Sequence, residues 1–236
     1  MSRQTSTPEA KNRLLQALPR RARERLLAHG EHVELSFGEV LYEPGQRMRY
    51  VFFPTRGFIS IVTTVGAEDS LEVGRFGDEG MLGLRLLLFS KAAPVRALVQ
   101  GPGAAWRIKE ALFCRELDNS EPLKRLMYRY LDVRLHQIVQ TALCAHFHTV
   151  DARLARWLLT TADQMHSDQF FMTQQFISSM LGVRRAGVNG AASLLQERRL
   201  IQYSRGRLAI LDRRGLKAAA CECYAADRKS YAKILG

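Results

Sequence analysis

The apolar positions of this chain follow two different periods. Between residues 33 and 108 they form short runs or alternate with polar residues, as they do in strands. Glycine and proline residues, among them Gly57, Pro102 and Gly103, separate these runs. The predicted strands are 33–35, 40–42, 50–53, 58–65, 71–75, 95–99 and 104–108. Many short strands at this spacing are typical of an antiparallel sandwich or small roll, and helices are predicted before it at 9–30.

After Ser120 the apolar positions recur every three or four residues, which predicts a helix of about 25 residues. Ser120 and Pro122 suit its start, and residues 146–149 end it before a further helix capped by Thr149. Its apolar band is broad, and a second copy of the same helix would cover it. The expected dimer contacts are Leu123, Met127, Tyr130, Leu131, Leu135 and Ile138. Packing against the chain's own strands is the alternative.

A helix, a tight turn and a second helix are predicted after Thr173, which suits an N-cap. Gly182 permits the sharp turn because glycine adopts positive φ without strain. Each helix has one apolar face at helical spacing. The positions expected to be buried are Phe176, Ile177, Met180 and Leu181 in the first helix, and Val188, Ala191, Ala192 and Leu195 in the second. The outward positions of the second helix are Arg184, Arg185, Asn189 and Ser193.

Two β-rich runs, 200–203 and 208–211, flank a glycine turn and predict a hairpin with arginines at its tip. Arginine and asparagine can form bidentate hydrogen bonds to bases in the major groove of DNA. The candidates for base contact are therefore Arg184, Arg185 and Asn189. The candidates for phosphate contact are Thr173, Gln174, Ser193, Arg205 and Arg207. Phosphate contact or simple solvation is the alternative for Arg184 and Arg185.

The positive charge of the chain lies mainly in its second half. The formal net charge is +12. Residues 1–118 contain 17 Lys/Arg and 14 Asp/Glu, a net of +3, whereas residues 119–236 contain 18 and 9, a net of +9. This distribution favours a polyanion partner for the second half, and double-stranded DNA suits a helix-turn-helix. A merely solvated basic surface, or a module for protein or membrane-surface interaction, is the alternative.

The sequence predicts a cytoplasmic protein. No run of 18 apolar residues predicts a membrane span, and the polar segment 1–12 lacks the apolar core of a secretion signal.

The spacings of the four cysteines fit neither a zinc site nor a disulfide scaffold. These cysteines are Cys114, Cys144, Cys221 and Cys223. Cys221 and Cys223 lie two apart in a predicted helix and should point apart. We expect free thiols and neither metal nor cofactor; Cys144, His146 and His148 are interpreted as a structural group rather than haem ligands.

The order of β-roll, long helix, helix-turn-helix and hairpin resembles the Crp–Fnr superfamily of bacterial transcription regulators. The strongest match is residues 181–191, Leu-Gly-Val-Arg-Arg-Ala-Gly-Val-Asn-Gly-Ala, followed by 194–201 and the Arg-Gly-Arg turn; residues 38–45 and 51–61 match in the β-part. The resemblance implies an α+β fold with an N-terminal antiparallel β-roll (jelly roll) at 1–118. It further implies a dimerisation helix at 119–147 and a C-terminal winged helix-turn-helix at 148–236. The implied partners are double-stranded DNA, a second copy of the chain and RNA polymerase.

The effector site of the superfamily is altered in this chain. Its cyclic-nucleotide binders carry Gly-Glu for the ribose hydroxyl and Arg-Ser or Arg-Thr for the cyclic phosphate. Here the first pair is Gly83-Leu84 and the second falls near Pro94-Val95, with Arg96 two places further on. A buried ribose hydroxyl without its acid is costly, so we expect no cyclic AMP response of the usual kind. The candidate effector-pocket residues are Gly83, Leu84, Arg85 and Arg96. A response to a cyclic nucleotide in another way, or to another small ligand, is the alternative.

This chain also differs from the superfamily in its recognition helix and in its N-terminal cysteines, and its strands lack the residues of a competing enzyme function. Arg185 falls where the superfamily has its first recognition arginine, but Ala186 and Gly190 replace a common glutamate and second arginine, so the usual operator is not expected. No cysteine precedes Cys114, which argues against the superfamily's N-terminal iron–sulfur sensor. A cupin-like enzyme would need histidines on the strands, and residues 33–108 contain none. We therefore predict that the chain is not an enzyme.

Overall fold

The computed structural model describes residues 12–65 and 69–235. The predictions about a secretion signal and about the beginning of the first helix fall on residues 1–11, outside this part. The strands are β1 Gly30–Leu35, β2 Val40–Tyr42, β3 Tyr50–Val65, β4 Asp69–Phe76, β5 Arg96–Lys109, β6 Gln169–Phe171, β7 Ile201–Ser204 and β8 Arg207–Ile210. The helices are α1 Arg13–Gln16, α2 Arg20–Leu27, α3 Glu110–Asn119, α4 Glu121–Phe147, α5 Val150–Met165, α6 Gln174–Leu181, α7 Arg185–Glu197, α8 Arg213–Ala219 and α9 Cys223–Leu235, and Leu84–Leu88 forms a 3₁₀ helix.

Strands β1 to β5 form an antiparallel sheet in the order β1-β5-β3-β4, with β2 also paired to β5. Side chains such as Phe53, Ile59 and Ile108 are fully buried inside it, because alternate residues of a strand point to the same face. This confirms the predicted antiparallel β-part and, with the helices that follow, the α+β fold.

Two predicted strand boundaries are wrong, because β3 and β5 are long, bent strands. Segments 50–53 and 58–65 belong to one strand, and so do 95–99 and 104–108. The expected turn at Gly57 is a region of shifted register between β3 and β5. Gly57 has φ +74, and a Cβ there would lie 2.2 Å from the Gly101 carbonyl oxygen. Gly57 therefore does not end a strand. It allows the backbones of β3 and β5 to approach closely within a bulge.

The first half of helix α4 packs on the chain's own sheet, whereas much of the apolar band in its second half is exposed. Leu123, Met127 and Tyr130 are almost completely buried in the core of the sheet formed by β1 to β5, which we call the β-domain. The Tyr130 hydroxyl accepts a hydrogen bond from the Met81 amide at 3.1 Å. Their prediction as dimer contacts is therefore wrong, since the alternative of packing on the strands applies to them. The second half is different, with Leu135 and Ile138 both more than half exposed.

The C-terminal part forms a second core around α5. It combines the helix pair α6–α7 with a three-stranded sheet in the order β6-β8-β7. Strand β6 was not predicted, because its three residues gain their pairing only from β8. The faces expected to be buried are confirmed: Ile177, Met180 and Leu181 in α6, and Val188, Ala191, Ala192 and Leu195 in α7 lie in this core, with Phe176 packed against it. None of the described helices combines the length and the apolar character that a membrane crossing needs.

Buried polar contacts join the two parts of the molecule. The guanidinium of Arg75, on β4, lies 4.9 Å from the ring centroids of both Phe58 and Trp157. It donates to the Thr161 hydroxyl of α5 at 2.9 Å and pairs with Glu72 at 2.6 Å. A buried arginine needs such partners, so the contact holds α5 against the β-domain in this arrangement.

The helix caps provide a matched pair for a stability test. Thr173 lies at the N-cap of α6 and its hydroxyl accepts the Phe176 amide at 3.1 Å. Thr149 lies at the N-cap of α5, as predicted, but its side chain makes no cap hydrogen bond. Thr173→Ala should therefore lower the free energy of unfolding by about 1 kcal/mol, and Thr149→Ala by clearly less. Urea denaturation measures both, and equal losses would refute the assigned role of Thr173.

Candidate nucleic-acid interface

The turn between α6 and α7 fixes which side of α7 faces outward. Gly182 ends α6 with φ +61, a left-handed conformation that favours glycine. Arg153 of α5 donates a hydrogen bond to the Leu181 carbonyl at the same turn. Since Val188 and Leu195 are fully buried, the opposite side of α7 is left to solvent.

The residues predicted to face outward do so. Arg184, Arg185, Asn189 and Ser193 are all exposed. Gly187 and Gly190 lie on the same helix, and a Cβ at either would meet no atom of residues 12–65 or 69–235 within 4 Å. Close packing within this described part therefore does not explain their place in the helix. We define the recognition face as the exposed residues Arg184, Arg185, Asn189 and Ser193 at the start and along the outer side of α7.

Helix α6 contributes polar groups beside the recognition face. Gln174 donates from Nε2 to the Asn189 Oδ1 at 3.0 Å, which connects the first turn of α6 to the middle of α7. Thr173 is exposed at the same N-terminus, where free backbone N–H groups favour anions. The Gln174–Asn189 pair was not predicted, because the two residues are 15 positions apart and only the helix pair brings them together.

The hairpin β7–β8 packs against α7, where the Tyr203 amide donates to the Gln196 Oε1 at 2.8 Å, and we call it the wing. Arg205 and Gly206 form its turn with φ +50 and +82, as a two-residue type I′ turn requires. Arg205 and Arg207 are both exposed. Burial raises the pKa of the Tyr203 phenol, and the nearby charge of Arg185 acts in the opposite direction. Both the wing and α7 thus carry exposed arginines.

The four candidate effector residues do not converge. Leu84 is buried in the β-domain core, and Gly83 is also buried, whereas Arg85 is exposed. Arg96 lies at the surface, where it pairs with Glu43 at 2.9 Å. The prediction that these residues line one pocket is therefore wrong, because Leu84 faces the core while Arg85 and Arg96 face water. Leu84 is drawn into the core because burial of its apolar side chain is favourable.

A group of four side chains that the sequence did not place together lies at the end of α4. The ligand atoms of Cys144, His148, Cys221 and Cys223 are all within 4.8 Å of one another. Cys221 precedes α9 and Cys223 begins it, so the expectation that both cysteines lie within a helix and point apart is wrong. A turn at Cys221–Glu222 directs both sulfur atoms to the same centre.

Comparison with known proteins agrees with the helix-turn-helix domain and with the overall fold. Residues 152–219 match the Crp-like helix-turn-helix domain. No curated protein sequence matches the chain. Among solved structures, the chain is similar to a transcriptional regulator of the Crp/Fnr family from Eubacterium rectale, with 16% identity, a TM-score of 0.69, and 87% of this chain and 96% of that chain covered.

Two further structures show the same likeness. FixK2 from Bradyrhizobium japonicum has 14% identity and a TM-score of 0.69, with 81% of this chain and 98% of that chain covered. The c-di-GMP-responsive global regulator CLP from Xanthomonas campestris has 19% identity and a TM-score of 0.66, with 81% and 99% covered. The family model thus confirms a Crp-like helix-turn-helix domain at 152–219, and the solved structures show that most of the chain shares the fold of Crp/Fnr-type regulators.

Proposed function

We propose that this chain, a Crp–Fnr regulator by its helix-turn-helix domain and its fold, is a homodimeric transcription regulator that binds specific sequences of double-stranded DNA. The observation that carries the proposal is the orientation of α7. Its apolar side is held in the core by α5 and α6, and its exposed side presents two arginines and an asparagine. In a helix-turn-helix the N-terminal half of the second helix contacts base edges in the major groove.

Each polar group of the surface has a role in this proposal. Arg185 and Asn189 contact base edges, and Arg184 contacts a base or the adjacent backbone. Thr173, Gln174 and Ser193 contact phosphate around the groove, and Arg205 and Arg207 contact phosphate from the wing. Phosphate contacts supply affinity that is independent of sequence, whereas base contacts supply discrimination.

Dimerisation rests on the second half of α4. Leu131 is partly buried, and Leu135 and Ile138 are 56% and 55% exposed. They recur at spacings of four and three, as in the seam of a coiled coil. Further large apolar side chains exposed on this half of α4 are Val139, Leu143 and Phe147. An apolar stripe of this extent is unusual on the surface of a monomer, and a two-fold copy of α4 covers it while presenting two recognition faces.

The β-domain serves as the regulatory part in this proposal, without the usual response to cyclic AMP. Leu84 occupies the core where the binders of the superfamily have the acid for the ribose hydroxyl. The units are the β-roll at 1–118, the dimerisation helix at 119–147 and the DNA-binding domain at 148–236. RNA polymerase is a further partner that the resemblance implies.

Removal of the wing arginines should weaken binding to all DNA sequences alike. Arg205→Ala and Arg207→Ala should each reduce the slope of log affinity against log salt by about 1, because each removes one phosphate contact. Arg21→Ala, which removes an exposed arginine of α2, is the control and should leave the slope unchanged. Fluorescence anisotropy over a salt series measures the slopes. A loss confined to one DNA sequence would exclude a pure phosphate role.

Selection of bound fragments from random double-stranded DNA tests the proposed function as a whole. The enriched fragments should contain two half-sites in inverted orientation, with centres roughly 34–36 Å apart or a multiple of that distance. Enrichment of no common sequence, with the protein folded and dimeric, would reject sequence-specific binding. Repeating the selection with candidate small ligands then identifies a regulatory effector.

A further inference from the structure

We propose that Cys144, His148, Cys221 and Cys223 form a zinc site of the Cys₃His type. These side chains come from two distant segments of the chain, the end of α4 and the beginning of α9 with the turn before it. All four ligand atoms lie within 4.8 Å of one another. Three thiolates and one imidazole are a common ligand set for a structural zinc ion.

The distances within the group approach those of a tetrahedron. Cys144 Sγ lies 3.6 Å from Cys221 Sγ, and Cys223 Sγ lies 3.5 Å from His148 Nδ1. Zinc–sulfur bonds of about 2.3 Å place two sulfur ligands about 3.8 Å apart in a tetrahedron, and a zinc–nitrogen bond of about 2.0 Å gives about 3.5 Å from sulfur to nitrogen. Two edges of the required tetrahedron therefore have the lengths that a zinc ion needs.

Polar neighbours orient two of the four ligands. Nε2 of His148, the ring nitrogen that faces away from the sulfur atoms, lies 3.1 Å from Glu222 Oε1. A carboxylate on the far nitrogen of a histidine ligand fixes its tautomer and strengthens its binding to metal. Gln140 donates from Nε2 to Cys223 Sγ at 2.9 Å, a hydrogen bond that suits a sulfur atom bearing negative charge.

Burial and charge also suit a metal-bound group. Cys144, Cys221 and Cys223 are at most 7% exposed, so zinc would be shielded from water on three sides. Zinc with three thiolates has a net charge of −1, and the guanidinium of Arg156 lies beside Cys144. Arg156 also pairs with Asp227 of α9 at 2.6 Å, which links this cation to both segments that supply ligands.

Two other uses of the cysteines fit the geometry less well. A disulfide between Cys144 and Cys221 would need the sulfur atoms to approach from 3.6 Å to about 2.05 Å, and it would leave the convergence of Cys223 and His148 without a purpose. An iron–sulfur cluster places several iron and sulfide atoms between its thiolates and needs more room than a group within 4.8 Å provides. A single tetrahedral ion uses all four side chains.

A zinc ion at this position would have a structural role, because its ligands come from two segments that are distant in the sequence. Cys144 and His148 lie where α4 ends, Cys221 lies between α8 and α9, and Cys223 begins α9. Bound zinc therefore fastens the end of α4 to the last helix of the chain. Since metal binding to a folded site stabilises that fold, removal of zinc should lower the Tm of this region.

Metal titration of the reduced full-length chain tests the proposal. After treatment with a chelator, the protein should bind one equivalent of Co²⁺, with the visible d–d bands and the thiolate charge-transfer band of a tetrahedral site, and one Zn²⁺ should displace it. Cys223→Ser should lower zinc affinity at least tenfold. Cys114→Ser, which removes the cysteine outside the group, is the matched control and should bind as the unmodified chain does.

Two milder variants keep the test independent of folding. Glu222 is 79% exposed, so Glu222→Gln should preserve the fold and weaken zinc binding by about 10- to 100-fold. His148→Cys should retain zinc, because four cysteines also form a structural site, whereas His148→Ala should lose it. Absence of the cobalt spectrum in the reduced chain overturns the proposal. Stoichiometric zinc in Cys223→Ser, or equal binding by Glu222→Gln and the unmodified chain, contradicts the assigned ligands and their orientation.

Discussion

Replacement of both Leu135 and Ile138 by glutamate should convert the proposed dimer into a monomer. The two side chains are more than half exposed and lie in the middle of the apolar stripe of α4, where four added charges per dimer would face one another without water. Affinity for a DNA fragment with two half-sites should fall by roughly 10²- to 10⁴-fold, because the two DNA-binding domains no longer bind as one unit. Light scattering measures the mass, and anisotropy measures the affinity.

A leucine of equal exposure provides the control for this experiment. Leu211 is 58% exposed and follows the wing rather than α4, so Leu211→Glu should leave the chain dimeric. An unchanged mass for the α4 double variant would refute the proposed interface. A fall in mass for Leu211→Glu as well would show that added charge, and not the stripe, decides the oligomeric state.

Arg185→Ala should reduce discrimination between DNA sequences. Arg185 is exposed at the start of α7, and a bidentate contact from arginine to guanine contributes about 1–3 kcal/mol of discrimination against the wrong base. Affinity for the best selected sequence should therefore fall by about 5- to 150-fold, while affinity for random DNA changes far less. Competition binding with the selected fragment and with random fragments measures both.

The other end of the same helix supplies the matched control. Arg198 follows the last residue of α7 and is also exposed, but it lies away from the end that approaches base edges. Arg198→Ala should lower affinity for both kinds of DNA to a similar and smaller extent. Equal losses on selected and random DNA for Arg185→Ala would remove Arg185 from the base-reading group.

The helix-turn-helix could be predicted closely because its signals are local. The cap at Thr173, the left-handed turn at Gly182 and the period of Val188 and Leu195 each depend on neighbouring residues only. Short-range hydrogen bonds and one buried face define such a unit without reference to the rest of the chain. The recognition face follows directly, since whatever is not on the buried face is exposed.

Features that depend on distant contacts could not be predicted in this way. Gly57 resembles a turn residue, yet its role comes from the carbonyl of Gly101 on another strand. Met127 and Leu135 both occupy the apolar band of α4, and only the presence of the β-domain beside the first half separates core from stripe. A periodic pattern shows that a face is covered but does not show by what.

The four-residue group at the end of α4 is the extreme example. Cys144 and Cys221 are 77 positions apart, and their sulfur atoms meet because α5 to α8 return the chain to the same place. The sequence signal that was available is modest: Cys144 and His148 share a helical spacing, and Cys221 and Cys223 flank an acid. Ligand spacings that cross a whole domain are not recognisable as a motif.

In the proposed two-fold dimer, two copies of the recognition face read DNA. Hydroxyl-radical footprinting of the unmodified chain on a selected fragment distinguishes this arrangement from binding by a single copy. Two symmetric protected regions, with centres roughly 34–36 Å apart or a multiple of that distance, are expected, and both should weaken together in Arg185→Ala. One asymmetric protected region, or a pattern that Arg185→Ala leaves unchanged, would contradict DNA reading by a two-fold dimer.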